Sequence, residues 1–457
     1  MRNCCTTAAM QKDHPKIQQF RIQLCTCFTK RAGASFNLID ALASAVKVES
    51  PVELSQSPVF ERKFASVYDA LTESKLDHDA QHTLFCGWQV DGAQTISGYQ
   101  VLACDSTKNP RPEADCLPDR VWLKSDSDTP AVAGQEYACV VQVLHERTSW
   151  VKPLELERVP SNTTASTLAA QQVLRLHQQS PNTPKVVAAD SRYANRVFLA
   201  VFVGILTLCA LVRMRNNMVL HATPPKRKAG QRGRPRTHGA RFSLKSARKR
   251  TCCDREDTFQ LLGQSVHLRA WHDLHFRWLC ALVGTVVCVE FLLPDGTPRY
   301  KNPMWLFWSG PISVPLADLC RMYLWRFAIE HFFRFIKQHL GFYATRTSFL
   351  ECTERWIDIV TLAYWQILLA APHLSGYVAP WRTMPKPNFP FTFASTPRQV
   401  QLALPAFLAV IGTPAPPTGP AGKSPGRPLG FKPPLRPHLK PVRKSPSPAK
   451  SRRNHKT

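Results

Sequence analysis

The sequence predicts an α/β fold in which helices flank a mixed sheet. Three β-rich runs separated by short polar or turn segments come first, and a strand-helix-strand pattern follows them. Closely spaced strands usually pair antiparallel, whereas strands that are joined through a helix usually lie parallel. We therefore expect one sheet in which antiparallel strands lead into parallel ones. The predicted strands are 98–105, 135–144, 150–159, 185–190 and 206–214, and the predicted helix between the third and fourth is 166–179.

Changes in composition divide the chain into six segments. Apolar residues at helical spacing predict a helical N-terminal region. Near the C-terminus, 12 of the 44 residues from Pro414 onward are Pro, and this composition predicts a disordered basic tail. The predicted segments are a flexible start (1–17), the helical N-terminal region (18–95), the first part of the sheet-containing core (96–212), a basic and β-rich insertion (213–317), a helical second part of the core (318–375) and the Pro-rich basic tail (376–457).

The positive charge of the chain is concentrated in two of its parts. The formal net charge is +27; residues 213–250 hold 13 Lys or Arg and no acid, and residues 416–457 hold 11 and no acid. These two parts supply 13 + 11 = 24 of the 27 excess charges, so the remainder is nearly balanced. Concentrated positive charge favours a polyanion such as nucleic acid, because binding releases condensed counterions. A solvated surface that only promotes solubility is the alternative.

The sequence does not favour a membrane or secreted protein. The apolar run at 197–212 has 16 residues, fewer than the roughly 20 that a spanning helix needs. Gly204 and Thr207 divide it, so we expect a buried helix followed by a buried strand. The 15 cysteines are scattered, show no zinc-ligand spacing and follow an N-terminus without an apolar signal segment. Reduced thiols in the cytoplasm are therefore expected.

Two acidic residues directly follow predicted strands. Asp105 comes after "YQVLAC" and Asp190 comes after "KVVAA". Sites in α/β folds gather at the carboxyl ends of strands, although Asp also begins turns and caps helices. A single acid at such a position would be ordinary, and two in one sheet lead us to expect a third nearby.

The third acid lies in the stretch "YLWRFAIEHFFRFIK" at 323–337, which is predicted to form a helix with one polar edge. Tyr323, Arg326, Glu330 and Lys337 fall within about 60° of a helical projection. A buried Glu beside Arg and Lys is either a structural ion pair or a metal ligand, and this edge alone does not separate the two. The two strand-end Asp residues favour the metal ligand. The predicted apolar side consists of Trp325, Ile329, Phe332, Phe333, Ile336 and Leu340.

The polar edge resembles a known signature. Its spacing is that of the Tyr-(2)-Arg-(3)-Glu-(6)-Lys pattern of bacterial insertion-sequence transposases, which are DDE recombinases with an RNase H-like core. Residues 103–120 resemble the block with the first Asp of that group, and 186–199 resemble the second, with Asp-x-x-Tyr at Asp190 and Tyr193. The resemblance covers roughly residues 18–375. It implies that a β-rich insertion separates the second Asp from the Glu helix.

The resemblance implies two-metal phosphoryl transfer on DNA. Asp105, Asp190 and Glu330 would hold two Mg²⁺ ions, with Mn²⁺ as a substitute. Water would free a 3′-OH at the transposon end, and that hydroxyl would then attack target DNA. Arg326 and Lys337 would bind phosphates, and Tyr323 would either contact a phosphate or pack.

The same resemblance implies the partners and the place of action. The partner would be double-stranded DNA, at the terminal inverted repeats and at the target site. A homodimer on DNA would bridge two ends, in the cytoplasm of a bacterium and in association with the nucleoid. By analogy, the helical region at 18–95 would recognise the DNA ends.

The basic insertion contains a short motif that resembles the core of an AT-hook. The segment "GQRGRPRTHG" at 230–239 carries Arg232, Arg234 and Arg236, and narrow A·T minor grooves attract inserted Arg side chains. We favour a general contact with phosphates and the minor groove over true A·T specificity.

Two functions are compatible with these patterns. An active DDE transposase is favoured, because all three acids and the four-residue signature are present. The alternative is a catalytically inactive, transposase-derived protein that binds DNA through its basic segments.

Overall fold

The computed structural model describes residues 15–124, 130–146, 148–225, 233–246, 252–374, 395–411, 429–432 and 435–444. Its helices are α1 (Pro15–Thr26), α2 (Ala32–Ser44), α3 (Ala65–Glu73), α4 (His78–Gly87), α5 (Ala165–Gln179), α6 (Arg196–Leu199), α7 (Leu316–Trp325), α8 (Ala328–His339), α9 (Leu350–Leu374) and α10 (Pro397–Ile411). Its strands are β1 (Phe28–Lys30), β2 (Lys75–Leu76), β3 (Gln100–Pro110), β4 (Val121–Leu123), β5 (Val132–Val143), β6 (Val151–Arg158), β7 (Lys185–Ala189), β8 (Leu208–Met214), β9 (Val219–Ala222), β10 (Arg241–Ser243), β11 (Arg255–Leu261), β12 (Gln264–Phe276), β13 (Leu279–Leu292) and β14 (Met304–Trp308). Short 3₁₀ helices occupy Pro51–Gln56 and Ala200–Phe202.

The predicted mixed sheet is confirmed, and its strand directions are those expected. Strands β3, β5 and β6 pair antiparallel in the order β3-β5-β6. On its other side β3 pairs parallel with β7, and β7 pairs parallel with β8. Helix α5 lies between β6 and β7 in the chain, and α6 connects β7 to β8, so both helices can cover one face of the sheet.

The β-rich stretch after β8 continues this sheet. Strand β14 pairs antiparallel with β8, and β13, β12, β9 and β10 follow in order towards one edge, with β11 on β12. The result is a twelve-stranded sheet. Strands β9 to β14 therefore extend, through β8, the sheet that contains β3 and β7, and they share its hydrophobic layers.

Two hydrophobic layers cover the two faces of the sheet. Residues on β3 alternate between them: Val101 and Ala103 face one layer, and Leu102 and Cys104 face the other. This alternation follows from the two-residue period of a strand. The first layer includes α8 and α9, and the second includes α5 and α6. The apolar run at 197–212 forms a short helix and strand β8, as predicted.

The N-terminal helices pack on α9. Arg21 is buried and pairs with Asp40 at 2.7 Å, and it also donates to Gln366 Oε1 at 2.7 Å. The ring centroids of Phe20 and Trp365 are 5.1 Å apart. These contacts join the predicted N-terminal region to the core.

Parts of the predicted disordered tail have defined positions. Helix α10 buries Val400, Leu404 and Phe407 in the same layer as α9, because its apolar residues recur at helical spacing. Further along, Val442 forms a parallel bridge with Val121 on β4. Residues 375–394, 412–428, 433–434 and 445–457 lie outside the described residues, as do 1–14, so the prediction for those parts is not tested.

Within the described residues, α9 is the one helix long and apolar enough to cross a membrane, and 78% of its most apolar window is buried inside the protein. Core helices of folded proteins meet the same criterion. The cysteines that the structure describes are free thiols.

Candidate active site

The parallel pairing of β3 and β7 brings Asp105 and Asp190 together. The last paired residues of this ladder are Cys104 and Ala189, so the two acids are the next residues on adjacent strands. Adjacent strands are about 4.8 Å apart. Asp190 follows the end of β7, as predicted, but Asp105 does not end β3. Strand β3 continues to Pro110 because its antiparallel pairing with β5 continues after β7 has ended.

A tight turn fixes the Asp190 carboxylate. The backbone N–H of Arg192 donates to Asp190 Oδ1 at 2.8 Å, and the N–H of Tyr193 donates to the Asp190 carbonyl at 3.1 Å. Asn195 then caps α6 by accepting from the N–H of Phe198. An Asp whose side chain accepts from the backbone two residues on is a typical turn former. The predicted Asp-x-x-Tyr pattern is thus a turn that orients the acid.

The stretch that carries Glu330 is two helices and not one. Helix α7 ends at Trp325 and α8 begins at Ala328. Across the junction the backbone N–H groups of Arg326, Phe327, Ile329 and Glu330 donate three residues back, to the carbonyls of Tyr323, Leu324, Arg326 and Phe327. Bonds of this kind tighten the chain into a 3₁₀ turn. The continuous helix expected from the sequence is therefore wrong at this point, although its predicted apolar side is buried.

Arg326 lies at this junction and contacts two of the three acids. Its Nη1 is 3.0 Å from Asp105 Oδ2, and its Nη2 is 3.1 Å from Glu330 Oε1. The residue is only 7% exposed. The sequence predicted that Arg326 would bind a phosphate; in the structure its guanidinium pairs with carboxylates. A buried cation between two acids compensates part of their negative charge.

Asp105 is hard to ionise, mainly because it is buried. Burial raises the pKa of Asp105 to about 6, and the neighbouring Asp190 and Glu330 add to that rise. The Arg326 guanidinium opposes these effects and does not cancel them. A carboxylate that ionises with difficulty in a cluster of acids marks a place where an additional cation would be stabilised.

Tyr323 and Lys337, the other two residues of the signature, lie beside the acids. Tyr323 is buried, and Arg326 Cζ is 5.8 Å from its ring centroid, so the structure favours packing. Lys337 is half-buried near Lys108, and its Nζ is 5.8 Å from the ring centroid of Tyr343. Burial lowers the pKa of Lys337, with Lys108 acting in the same direction and Asp105 opposing.

A second charged group next to the acids was not predicted. Glu136 on β5 accepts from Ser106 Oγ at 2.8 Å and from Arg192 Nη1 at 2.6 Å. Ser106 follows Asp105, and Arg192 is two residues after Asp190. The sequence could have suggested Ser106 and Arg192, because each lies within two residues of a predicted acid. It could not have suggested Glu136, because Glu136 comes next to them through the register of β3 with β5, which the sequence does not specify.

The three carboxylates converge without forming a closed cage. Within the described residues they do not form a group whose oxygens all lie within 4.8 Å of one another. Arg326 lies between Asp105 and Glu330, which accounts for their separation. The donor set itself, three carboxylates, is one that Mg²⁺ and Mn²⁺ prefer.

The predicted DNA-binding arginines are in a different part of the sheet. Arg234 and Arg236 are exposed and precede β10, whereas Arg232 lies outside the described residues. Strand β10 is six positions from β7 along the sheet, on the order of 30 Å. The structure therefore does not bring these arginines to the acids.

Comparisons with known proteins give a family match and a similar solved structure. No curated protein matches the chain. The chain is similar to the piggyBac transposase of a synaptic complex with hairpin DNA, at 10% identity, over 87% of this chain and 78% of that chain, with a TM-score of 0.44. A similarity of this size carries no inference about the site.

The family described as "DDE superfamily endonuclease" matches residues 23–275, more than half of the 457 residues. This range includes Asp105 and Asp190 but ends before Glu330. The chain belongs to the DDE superfamily endonuclease family.

Proposed function

We propose that the protein is a DDE transposase that cleaves DNA strands at the ends of an insertion sequence and joins them to target DNA. The observation that carries the proposal is the convergence of three acids from distant parts of the chain. Asp105 and Asp190 are in register on adjacent strands, and Arg326 joins Asp105 to Glu330. The strand order of the core, antiparallel β6-β5-β3 followed by parallel β7 and β8, supports the RNase H-like assignment.

Asp105, Asp190 and Glu330 are the residues that would hold two Mg²⁺ ions, and Mn²⁺ would substitute for them. The raised pKa of Asp105, which burial and the adjacent acids cause, fits a site whose charge is balanced by added cations. When bound, divalent ions at such a site activate the attacking oxygen and stabilise the leaving oxygen of an in-line phosphoryl transfer. The other charged side chains of the site would balance its charge and position the DNA.

The basic side chains around the acids would bind the DNA backbone. Lys337 and Lys108 lie on one side of Asp105, and Arg192 lies on the side of Asp190. Phosphate oxygens accept charge-assisted hydrogen bonds from such groups. Arg326 has a different role in this proposal: it compensates the charge of Asp105 and Glu330, which it contacts at 3.0 and 3.1 Å, and would hold both acids in position.

The remaining partners follow from the same proposal. The substrate would be double-stranded DNA with terminal inverted repeats, and a homodimer would hold two ends together. The protein would act in the cytoplasm of a bacterium, in association with the nucleoid.

The test is cleavage of DNA that carries the inverted repeats flanking the gene. With Mg²⁺ we expect the wild-type chain to nick these ends, and we expect Glu330→Ala and the isosteric Glu330→Gln to bind the DNA without cutting it. Glu351→Ala, which removes an exposed Glu that pairs with Arg355, is the matched control and should cut normally. Robust cleavage by Glu330→Ala would refute the site. Binding without cleavage by the wild type would instead support the inactive DNA-binding alternative.

A further inference from the structure

A second group of potential metal ligands lies far from the acids, near the β10 edge of the sheet. It consists of His238, His275 and Cys280, whose ligand atoms all lie within 4.8 Å of one another. His238 Nδ1 is 2.9 Å from His275 Nε2 and 3.9 Å from Cys280 Sγ. None of these residues belongs to the catalytic proposal.

The sheet itself brings the three side chains together. His275 is near the end of β12, and Cys280 is near the start of β13, on the two arms of a hairpin in which Phe276 pairs with Leu279. His238 comes from the segment before β10, where the N–H of Gly239 donates to the Ala222 carbonyl of β9 at 2.9 Å. A Cβ at position 239 would lie 2.3 Å from the carbonyl oxygen of Thr223, so only glycine allows this close approach.

We propose that His238, His275 and Cys280 bind one divalent transition-metal ion, with Zn²⁺ as the best fit. Imidazole nitrogen and thiolate sulfur are the ligands that Zn²⁺ prefers, and Mg²⁺ does not take them. Zn–N bonds near 2.0 Å and Zn–S bonds near 2.3 Å place tetrahedral ligand atoms roughly 3.3–3.6 Å apart. The distances of 2.9 and 3.9 Å bracket that range, so small side-chain rotations complete the geometry.

A hydrogen-bonded histidine pair is the competing explanation for this cluster. Such a pair accounts for the 2.9 Å contact between the two rings, but it does not account for Cys280 Sγ, which lies 3.9 Å from the same nitrogen of His238.

Three protein ligands leave the fourth tetrahedral position for His221 or for water. His221 pairs with His275 across β9 and β12, and its ring centroid is 5.0 Å from that of His238. An ion held by these three ligands would join the hairpin of β12 and β13 to the segment that carries Arg234 and Arg236, and His221 as a fourth ligand would add β9. The ion would therefore stabilise this edge of the sheet.

The test uses the full chain, stripped of metal with a chelator and titrated with Co²⁺ and then with Zn²⁺. We expect one equivalent of Co²⁺ to give tetrahedral d–d bands and a thiolate-to-metal charge-transfer band, and Zn²⁺ to displace it. His238→Gln and Cys280→Ser should each weaken binding by more than about tenfold, and Cys280→Ser should remove the charge-transfer band. Zn²⁺ should raise the Tm of the wild type and not that of the two variants.

Two controls separate this site from the others. A chain with Asp105→Asn, Asp190→Asn and Glu330→Gln should keep the charge-transfer band, because the carboxylate site contributes no sulfur. Cys252→Ser removes an exposed thiol and should also keep it. A band that survives Cys280→Ser, or a wild type that binds no Co²⁺ while folded, would overturn the proposal. His238→Gln and Cys280→Ser alter partly exposed residues, so circular dichroism can verify that these two variants fold.

Discussion

Arg326 Nη1 lies 3.0 Å from Asp105 Oδ2 and thereby joins residues 221 positions apart in the sequence. The same guanidinium reaches Glu330, so one buried cation is shared by an acid from a strand and an acid from a helix. Burial is the main reason why the pKa of Asp105 stays raised beside this cation, and Asp190 and Glu330 add to the rise. The raised pKa has measurable consequences in the metal-free protein.

The first consequence is a pH dependence of stability that comes from Asp105. Its pKa is raised from 3.8 to about 6, so the folded chain holds this proton more tightly than the unfolded chain does. The stabilisation is fully present below pH 3.8 and is lost as the pH rises through 6. We expect the free energy of unfolding of the wild type, relative to that of Asp105→Asn, to fall by about 2–3 kcal/mol between pH 4 and pH 7.

Urea denaturation of both proteins in the presence of a chelator measures this difference. Other titrating groups are common to the two chains and cancel in the comparison. A difference that stays constant across the pH range would mean that Asp105 ionises normally and that the acids are further apart than described.

The second prediction concerns Arg326. Arg326→Ala leaves Asp105 and Glu330 without their shared cation, and an uncompensated buried charge is costly. We expect a loss of about 3 kcal/mol in the free energy of unfolding at pH 8. The loss should be smaller at pH 5, where Asp105 takes up a proton.

The control for Arg326 is an exposed ion pair. Lys16→Ala breaks the pair with Asp91, in which both side chains are at least half exposed, and should cost less than about 0.5 kcal/mol. Equal losses in the free energy of unfolding would show that removing the Arg326 charge costs no more than removing an exposed charge.

Much of the site was predictable because it depends on short-range patterns. The runs before Asp105 and Asp190 have the composition of buried strands, and the apolar side of the Glu330 helix follows from its 3.6-residue period. The parallel pairing of β3 with β7, which makes the two Asp residues neighbours, joins strands that β4, β5, β6 and α5 separate in the chain, so its register needed the structure.

The rest depends on contacts that sequence periodicity does not encode. The 3₁₀ junction at Arg326 and Phe327 keeps helical backbone angles, so its apolar pattern is nearly that of one helix. The pairing of Arg326 with Asp105 is a long-range contact. The sequence alone was equally compatible with a contact between Arg326 and a phosphate. Strand β14 was identified as β-rich, yet its pairing with β8, which merges the insertion with the core sheet, needed the structure.

The third prediction tests the packing that positions Glu330. Phe332 is fully buried, and its ring contacts Tyr364 edge-on with centroids 4.8 Å apart. Phe332→Ala should cost about 3–5 kcal/mol in the free energy of unfolding. Phe327→Ala, the same change five positions earlier at a residue that is 56% exposed, should cost less than about 1 kcal/mol. Thermal or urea denaturation compares the two, and similar losses would contradict the orientation of α8.

The fourth prediction separates DNA binding from chemistry. Arg234 and Arg236 are exposed and distant from the acids, so the double change to Ala should weaken binding to all duplex sequences alike. If both contact phosphates, the slope of log K against log salt concentration should fall in magnitude by about 1.8. Cleavage of saturated DNA should be unchanged. The double change of Arg299 and Lys301 to Ala, which also removes two exposed positive charges, measures the effect of net charge alone. An equal loss of slope in this control would assign the effect to charge, and a sequence-dependent loss would support A·T readout.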